Sequence, residues 1–223
     1  DVVETHAETG AEFLLIPNGS PYHRTKHDQR LNLMVSRVIE SDLPLIYLNM
    51  VGGQDDQVFD GGSFVLNRGG ALALRLPVFE EAVQQITLTR GDDGWTIADG
   101  PKATVPEPME LDYHAMVLSL RDYCQKSGFE KVLLGLSGGV DSALVAVIAA
   151  DALGVENLRT VMLPSAYTSD GSLSDARTLA ETLGCRYDTL PITEGQAAIN
   201  TTLEPLFDLS LIHISEPTRP SQI

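Results

Sequence analysis

The sequence predicts an α/β protein of two parts, the second built on a parallel sheet. Apolar runs of strand length alternate with segments of helical pattern, and a strand–helix–strand alternation favours parallel strands joined by right-handed crossovers. A loop rich in glycine and serine, residues 135–142, joins an apolar strand to a helix rich in Ala, Val and Ile. The 223 residues, 43% of them hydrophobic, suffice for one large domain or two small ones.

The first half of the chain alternates apolar runs with turn residues. Thr9–Glu12 marks the passage from a helix to a strand. The patterns that follow predict a buried strand at 12–17, a turn at 18–21, a helix at 27–40, a second buried strand at 45–48, a polar loop at 51–56, a hairpin from 63–66 to 71–74 and a strand at 82–88.

The second half begins after a segment dense in Gly, Asp and Pro, residues 90–108, which predicts a linker. The expected elements are a helix at 111–126 stopped by Gly128, a buried strand from 132, a helix to 153, a strand at 160–163, a helix at 174–183 and a strand at 186–190. Ligands of such sheets bind at the carboxyl ends of the strands, where residues 135–142 lie.

The loop between the first strand and helix of this sheet has the composition of an anion site. Backbone N–H groups of Gly138, Gly139 and Val140 have no helical acceptors, and the positive end of the helix dipole lies behind them. Ser137 and Ser142 add hydroxyl groups. A tight turn that uses glycine only for its backbone freedom is the alternative interpretation.

Asp141 places a carboxylate in the same loop, where a divalent cation would bridge to phosphate oxygens. No Gly-Lys-Ser/Thr follows the glycines, so the loop is not a Walker A motif.

Charge and cysteine content narrow the function classes. The net charge of −16 argues against non-specific nucleic-acid binding, and an anionic ligand must be held by local backbone groups and metal ions. Two cysteines, Cys124 and Cys185, indicate neither a disulfide framework nor a thiolate metal site and fit a reducing cytoplasm. No apolar stretch is long enough to span a membrane, and the N-terminus carries no secretory signal.

The motif Ser137–Ser142 resembles the loop of pyrophosphatase-loop ATPases, which split ATP between its α and β phosphates. Together with further segments, the chain resembles the glutamine-dependent NAD synthetases. The segments that carry this resemblance are 18–23, Lys26, 51–55 and 59–64 in the first half, and 120–123, 135–142, 162–165, 167–169 and 174–176 in the second. The loop alone also fits GMP synthetase or asparagine synthetase, whereas the nitrilase-like first half favours NAD synthetase.

The resemblance implies the C-terminal part of a nitrilase-like α-β-β-α domain, followed by the start of a parallel-sheet, Rossmann-like pyrophosphatase-loop ATPase domain. The expected boundaries are 1–91 for the glutaminase part, 92–110 for the linker and 111–207 for the synthetase part, so that the family's pattern is cut at both ends. Residues 209–219 correspond to the translation of a transposon-based sequencing-library adaptor, which predicts that 208–223 form a non-native tail.

The implied reaction is ATP-dependent amidation of deamido-NAD to NAD through an adenylate, with ammonia from L-glutamine or supplied free. The implied ATP-binding residues are Gly135, Leu136, Ser137, Gly138, Gly139, Val140, Asp141 and Ser142, with Asp141 also a Mg²⁺ ligand. Ser20 and Lys26 match the family's glutamine contacts. The family's Glu-Lys-Cys triad lies upstream, so no catalytic residue is expected here, and the intact protein is expected to be a cytoplasmic homo-oligomer.

Three alternatives stay open. The chain is a catalytically incomplete nucleotide-binding fragment, an amidase-like domain with an accessory nucleotide module, or part of another pyrophosphatase-loop amidotransferase such as GMP synthetase.

Overall fold

The computed structural model describes residues 2–205, and its contacts divide the chain into two compact units, Asp1–Glu130 and Lys131–Ile223. The predicted non-native tail, 208–223, lies outside the described residues. Each unit has its own sheet and helices. The structure is therefore a mixed α/β fold, as the sequence predicts. No helix in the described part of the chain is long and apolar enough to cross a membrane.

In the described residues, the first unit contains a four-stranded sheet, two separate two-stranded hairpins and three α-helices. Its elements are α1 (Val2–Glu8), β1 (Leu14–Asn18), α2 (Lys26–Ser41), β2 (Leu45–Asn49), β3 (Val51–Gln54), β4 (Gln57–Asp60), β5 (Phe64–Leu66), β6 (Leu72–Arg75), β7 (Leu88–Gly91), β8 (Gly94–Ile97) and α3 (Pro108–Ser127). The sheet has the order β1-β2-β5-β6, with β1 and β2 parallel and the other pairs antiparallel. The predicted hairpin of β5 and β6 is confirmed.

The main core of this unit lies between α2 and the sheet. Buried side chains of β1, α2, β2, β5 and the loop between α2 and β2 form one cluster: Leu14, Val38, Leu43, Leu45, Tyr47, Phe64 and Leu66. The Tyr47 and Phe64 rings stack at a centroid separation of 4.8 Å across neighbouring strands. Of the apolar positions that predict α2 from the sequence, Leu31, Met34 and Val38 pack in this core, whereas Leu33 and Ile39 are exposed.

The predicted polar loop at 51–56 is wrong, because residues 51–54 form β3 and pair antiparallel with β4. Helix α3 lies on this hairpin at close range. A Cβ on Gly53 would stand 3.3 Å from the Ser119 Cα, and the Gly53 amide donates to Asp122 Oδ2 at 2.7 Å. The glycines that look like loop residues in the sequence therefore make room for a helix.

The segment predicted as a linker, 92–110, contains strand β8, which forms a hairpin with β7. This hairpin packs against the four-stranded sheet of the first unit. Ile97 is buried with Val65 and Leu74, and its backbone amide and carbonyl both bond to the Asn67 side chain at 2.8 Å. The strand predicted at 82–88 is wrong except for Leu88, which opens β7. Contacts group α3 with the first unit, so the proposed boundary at 110 stays a prediction.

Up to residue 205, the second unit has three parallel strands in the order β11-β10-β9. Its elements are β9 (Val132–Gly135), α4 (Val140–Leu153), β10 (Leu158–Met162), α5 (Asp170–Leu183), β11 (Arg186–Thr189) and α6 (Thr193–Leu203). The parallel alternation is confirmed. Helix α5 begins four residues earlier than predicted, and α6 was not predicted. Strand β9 is an edge strand within the described residues, and its Leu133 is 70% exposed rather than buried.

Candidate functional site

The loop predicted to bind ATP lies between the carboxyl end of β9 and the first turn of α4. Leu136 anchors its start, because its side chain is 1% exposed and its amide donates to the Val161 carbonyl of β10 at 2.8 Å. Gly139 is the N-cap of α4, and no side chain caps that helix. The first-turn amides of α4 are therefore left without a protein side chain as acceptor, which suits an anion.

Two features of the structure require glycine at position 138: its backbone conformation and the close approach of Ser172. Its φ is +80°, in the left-handed region that favours glycine. A Cβ at this position would stand 2.3 Å from the Ser172 carbonyl oxygen of α5. The loop can therefore pass this close to the start of α5 only without a side chain.

The two loop hydroxyl groups, expected to serve a phosphate, bond to the loop itself. Ser142 Oγ donates to the Gly139 carbonyl at 3.0 Å and accepts from the Ser137 amide at 3.2 Å. Ser137 Oγ lies 3.0 Å from Ser142 Oγ and accepts from the Gly139 amide at 3.3 Å. These bonds fix the curvature of the loop, and a phosphate oxygen would have to replace one of them to receive a hydroxyl proton.

A cleft of about 390 Å³ opens beside this loop, and we call it the nucleotide cleft. It lies where the carboxyl ends of β9 and β10 meet the start of α5, as expected for a parallel sheet. Its lining residues are Gly135, Leu136, Ser137, Val161, Met162, Leu163, Tyr167, Thr168, Ser169 and Ser172. Tyr167 is exposed there, and Ser169 caps α5 by accepting from the Ser172 amide at 3.1 Å.

Asp141, the predicted metal ligand, lies in the first turn of α4 and is exposed. Within residues 2–205, no group of three or more His, Cys, Asp or Glu side chains converges on a common point. Mg²⁺ is commonly held by one or two carboxylates together with substrate phosphates, so a single exposed carboxylate beside a phosphate loop fits that ion. Its role stays a prediction.

The first unit holds the residues predicted to contact glutamine. Ser20 lies in the turn after β1 and is partly exposed. Its backbone N–H donates to Asn49 Oδ1 at 2.9 Å, and its hydroxyl oxygen accepts from Arg30 Nε at 3.0 Å. Arg30 pairs with both carboxylate oxygens of Asp60 at 2.8 Å. Sequence reasoning missed this network.

A signal for the network is present in the sequence. Arg30 precedes Met34 and Val38 by four and eight residues, so an arginine stands in the apolar stripe of the predicted helix. A charged group on a buried face needs a buried partner. The sequence does not say which of several aspartates that partner is.

Lys26 opens α2 and is partly buried. In the described part of the chain its ammonium group has no hydrogen-bond or ion-pair partner, and no bond joins it to Ser20. The next residue, His27, has a pKa below its usual value because burial and the nearby positive charge of Arg75 disfavour the imidazolium form. Lys26 is thus available to a ligand, while His27 is not a source of positive charge at neutral pH.

Comparison with known proteins shows what the chain resembles. The sequence profile of the NAD synthase family matches residues 112–210. The glutamine-dependent NAD(+) synthetase of Rhodobacter capsulatus is 57% identical over 203 residues, which are 91% of this chain and 37% of that protein. The enzyme of the same name from Synechocystis sp. is 40% identical, covering 97% of this chain and 38% of its own length.

A solved structure is also similar over most of the chain. The glutamine-dependent NAD+ synthetase of Acinetobacter baumannii, in complex with ADP, superposes with a TM-score of 0.87 at 36% identity, over 93% of this chain and 39% of that one. The chain is similar in sequence and in fold to part of the glutamine-dependent NAD(+) synthetases. It spans between a third and two fifths of the length of these relatives.

The profile match covers one of the two predicted sites and not the other. The profile match includes the whole of loop 135–142, which favours NAD synthase over GMP synthetase as the parent of this loop. Ser20 and Lys26 lie before the matched segment. The roles of all these residues stay predictions.

Proposed function

We propose that this chain supplies the ATP loop and part of the glutamine site of an enzyme that converts deamido-NAD to NAD. Its first unit is then the C-terminal part of a nitrilase-like glutaminase domain, and its second is the start of a Rossmann-like pyrophosphatase-loop ATPase domain. The single observation that supports the ATP site best is the uncapped start of α4, which follows a loop bordering a 390 Å³ cleft.

ATP in this proposal lies with its phosphates on the loop and its nucleoside in the nucleotide cleft. Backbone N–H groups of Gly138 and the first turn of α4 hold the phosphate oxygens, because the net charge of −16 offers no long-range attraction for an anion. Mg²⁺, when bound at Asp141, supplies positive charge that offsets the charge on the departing pyrophosphate.

The chemistry has two steps. The nicotinate carboxylate of deamido-NAD attacks the α-phosphorus of ATP, and the bond to pyrophosphate breaks. Ammonia then attacks the carbonyl carbon of the adenylate, the bond to AMP breaks and a proton is lost, which leaves the amide of NAD. The backbone donors of the loop stabilise charge on the phosphate oxygens as the first bond breaks.

Ammonia in this proposal comes from L-glutamine bound at Ser20 and Lys26. Cys124 is buried in α3 and Cys185 borders β11, and both are free thiols outside the turn that carries Ser20. Neither is positioned as the glutaminase nucleophile. We further propose that the intact enzyme is a cytoplasmic homo-oligomer, as the resemblance implies.

A chimera tests the function. Residues 2–205 of this chain replace the matching segment of the Rhodobacter capsulatus synthetase, and NAD formation is measured from deamido-NAD and ATP with either glutamine or ammonium. We expect product with both nitrogen sources.

Calorimetric titration of ATP into the chain alone, with Mg²⁺, tests the second candidate, an incomplete nucleotide-binding fragment. ATP binding to the chain, together with no turnover by the chimera, would favour that candidate.

A further inference from the structure

A buried arginine is bonded to the turn that carries Ser20. The Arg30 side chain is 6% exposed, and its partner Asp60 is 3% exposed. Nη1 donates to both oxygens of this carboxylate at 2.8 Å. This buried ion pair holds one end of the guanidinium group in place.

The remaining edge of the guanidinium group faces the turn after β1. Nη2 donates to the backbone carbonyls of Ser20 at 2.8 Å and Pro21 at 2.9 Å. Nε donates to the Ser20 hydroxyl oxygen at 3.0 Å. Asn49 holds the same turn from β2, accepting from the Ser20 amide and donating to its carbonyl at 3.2 Å. Backbone and side chain of Ser20 are thus both positioned.

The bond from Arg30 Nε also determines whether the Ser20 hydroxyl group donates or accepts in this contact. A hydroxyl group has one proton and two acceptor lone pairs, whereas an arginine N–H can only donate. Ser20 Oγ therefore accepts from Arg30. In the part of the chain that the structure describes, the Ser20 proton has no acceptor of its own. Since Ser20 is partly exposed, a ligand can supply that acceptor.

We propose that Arg30, fixed by Asp60, is a positioning residue of the glutamine site, and that it makes Ser20 a hydrogen-bond donor to an oxygen atom of L-glutamine. This inference rests on the proposed function. Lysine at position 30 would keep the charge that Asp60 requires but could not reproduce the planar set of donors. Ser20 would then rotate freely and bind the substrate oxygen less well.

The test uses the chimera and the variant Arg30→Lys. The KM for glutamine should rise about tenfold, equivalent to about 1.4 kcal/mol, while ammonia-driven synthesis stays within about twofold. Ser20→Ala should give a similar rise. Because Arg30 acts through Ser20, adding R30K to S20A should cause little further increase in KM. Arg37→Lys, at a partly exposed arginine of the same helix that pairs with Glu40, is the matched control and should change neither the KM for glutamine nor the ammonia-driven activity.

Two outcomes would overturn the inference while leaving the proposed function intact. Equal effects of R30K with and without S20A, or equal losses with glutamine and ammonia, would show a general structural role. If R30K does not fold, the paired variant Arg30→Gln with Asp60→Asn removes both buried charges together and is held to the same KM criteria. No NAD formation from either nitrogen source in the unmodified chimera would overturn the proposed function and this inference with it.

Discussion

The Tyr22 hydroxyl donates a hydrogen bond of 2.8 Å to Asp112 Oδ1, joining two residues 90 positions apart in the chain. Arg24 Nε donates to the other carboxylate oxygen at 2.7 Å. Asp112 lies in the first turns of α3, and Tyr22 and Arg24 lie between Ser20 and Lys26. The loop between Ser20 and Lys26, the two proposed glutamine contacts, is therefore hydrogen-bonded to α3, the helix in which the NAD synthase profile match begins.

This contact predicts an unusual tyrosine titration. Burial, followed by the hydrogen bond to Asp112 and its charge, raises the pKa of Tyr22 to about 12. Ultraviolet absorbance of the phenolate, followed in wild-type protein and in Tyr22→Phe, should assign one tyrosine to ionisation near that value. Asp112→Asn should bring this ionisation to lower pH, because it removes the negative charge beside the hydroxyl.

The same shift has a signed effect on stability. A pKa raised in the folded state favours folding fully below the ordinary tyrosine pKa of about 10, and that contribution is lost as pH rises toward 12. Between these values the free energy of unfolding should fall more steeply for wild type than for Tyr22→Phe. Parallel pH profiles of the two proteins would contradict the assignment.

Lys26 should matter for glutamine alone. In the chimera, Lys26→Ala should raise the KM for glutamine about tenfold or more, because a charged hydrogen-bond donor is lost, and ammonia-driven synthesis should stay nearly intact. Lys102→Ala, which removes a lysine paired with Asp99 on the surface of the same unit, is the control and should alter neither activity. An equal loss with both nitrogen sources would refute the contact.

Asp141 should affect turnover rather than stability. The N-cap of α4 is Gly139, so Asp141→Asn removes no cap and should cost at most about 1 kcal/mol through the helix dipole. Turnover at ordinary magnesium should fall by orders of magnitude, with partial recovery at higher magnesium. Asp151→Asn, at the other end of the same helix, is the control. Near-normal turnover of D141N would exclude a metal role.

Gly138→Ala tests the packing of the ATP loop. The new Cβ would meet the Ser172 backbone, and φ is +80°, so we expect the free energy of unfolding to fall by about 2 kcal/mol and ATP binding to weaken. Gly195→Ala in α6, where a Cβ meets nothing within 4 Å, should not destabilise the chain. Chemical denaturation of the three proteins, with calorimetric ATP titration, compares them. An unchanged free energy of unfolding for G138A would contradict this prediction and show that α5 can move away from the new Cβ at no cost.

Regular elements of the second unit were predictable because their signals are local. The apolar run 132–135, the glycines after it and the alanine-rich helix follow one another within a few turns of chain, and parallel pairing follows from the alternation. Helix α6 was not predicted. In the described structure none of its side chains is buried, and Ile199 is 61% exposed, so the helix shows no distinct apolar face. The hairpin β3-β4 escaped because its glycines carry no strand preference and owe their place to α3.

The sequence by itself determined the family resemblance, the parallel pairing of the second sheet and the position of the proposed ATP loop, because each depends on residues close together in the chain. Only the tertiary structure decided that Asp60 lies beneath Arg30, that Arg30 directs the Ser20 hydroxyl, and that the loop serines bond to one another. Charged and polar side chains find partners by proximity in the folded state. Several aspartates satisfy the sequence pattern equally well, and only the fold, which brings the end of β4 to Arg30, selects one.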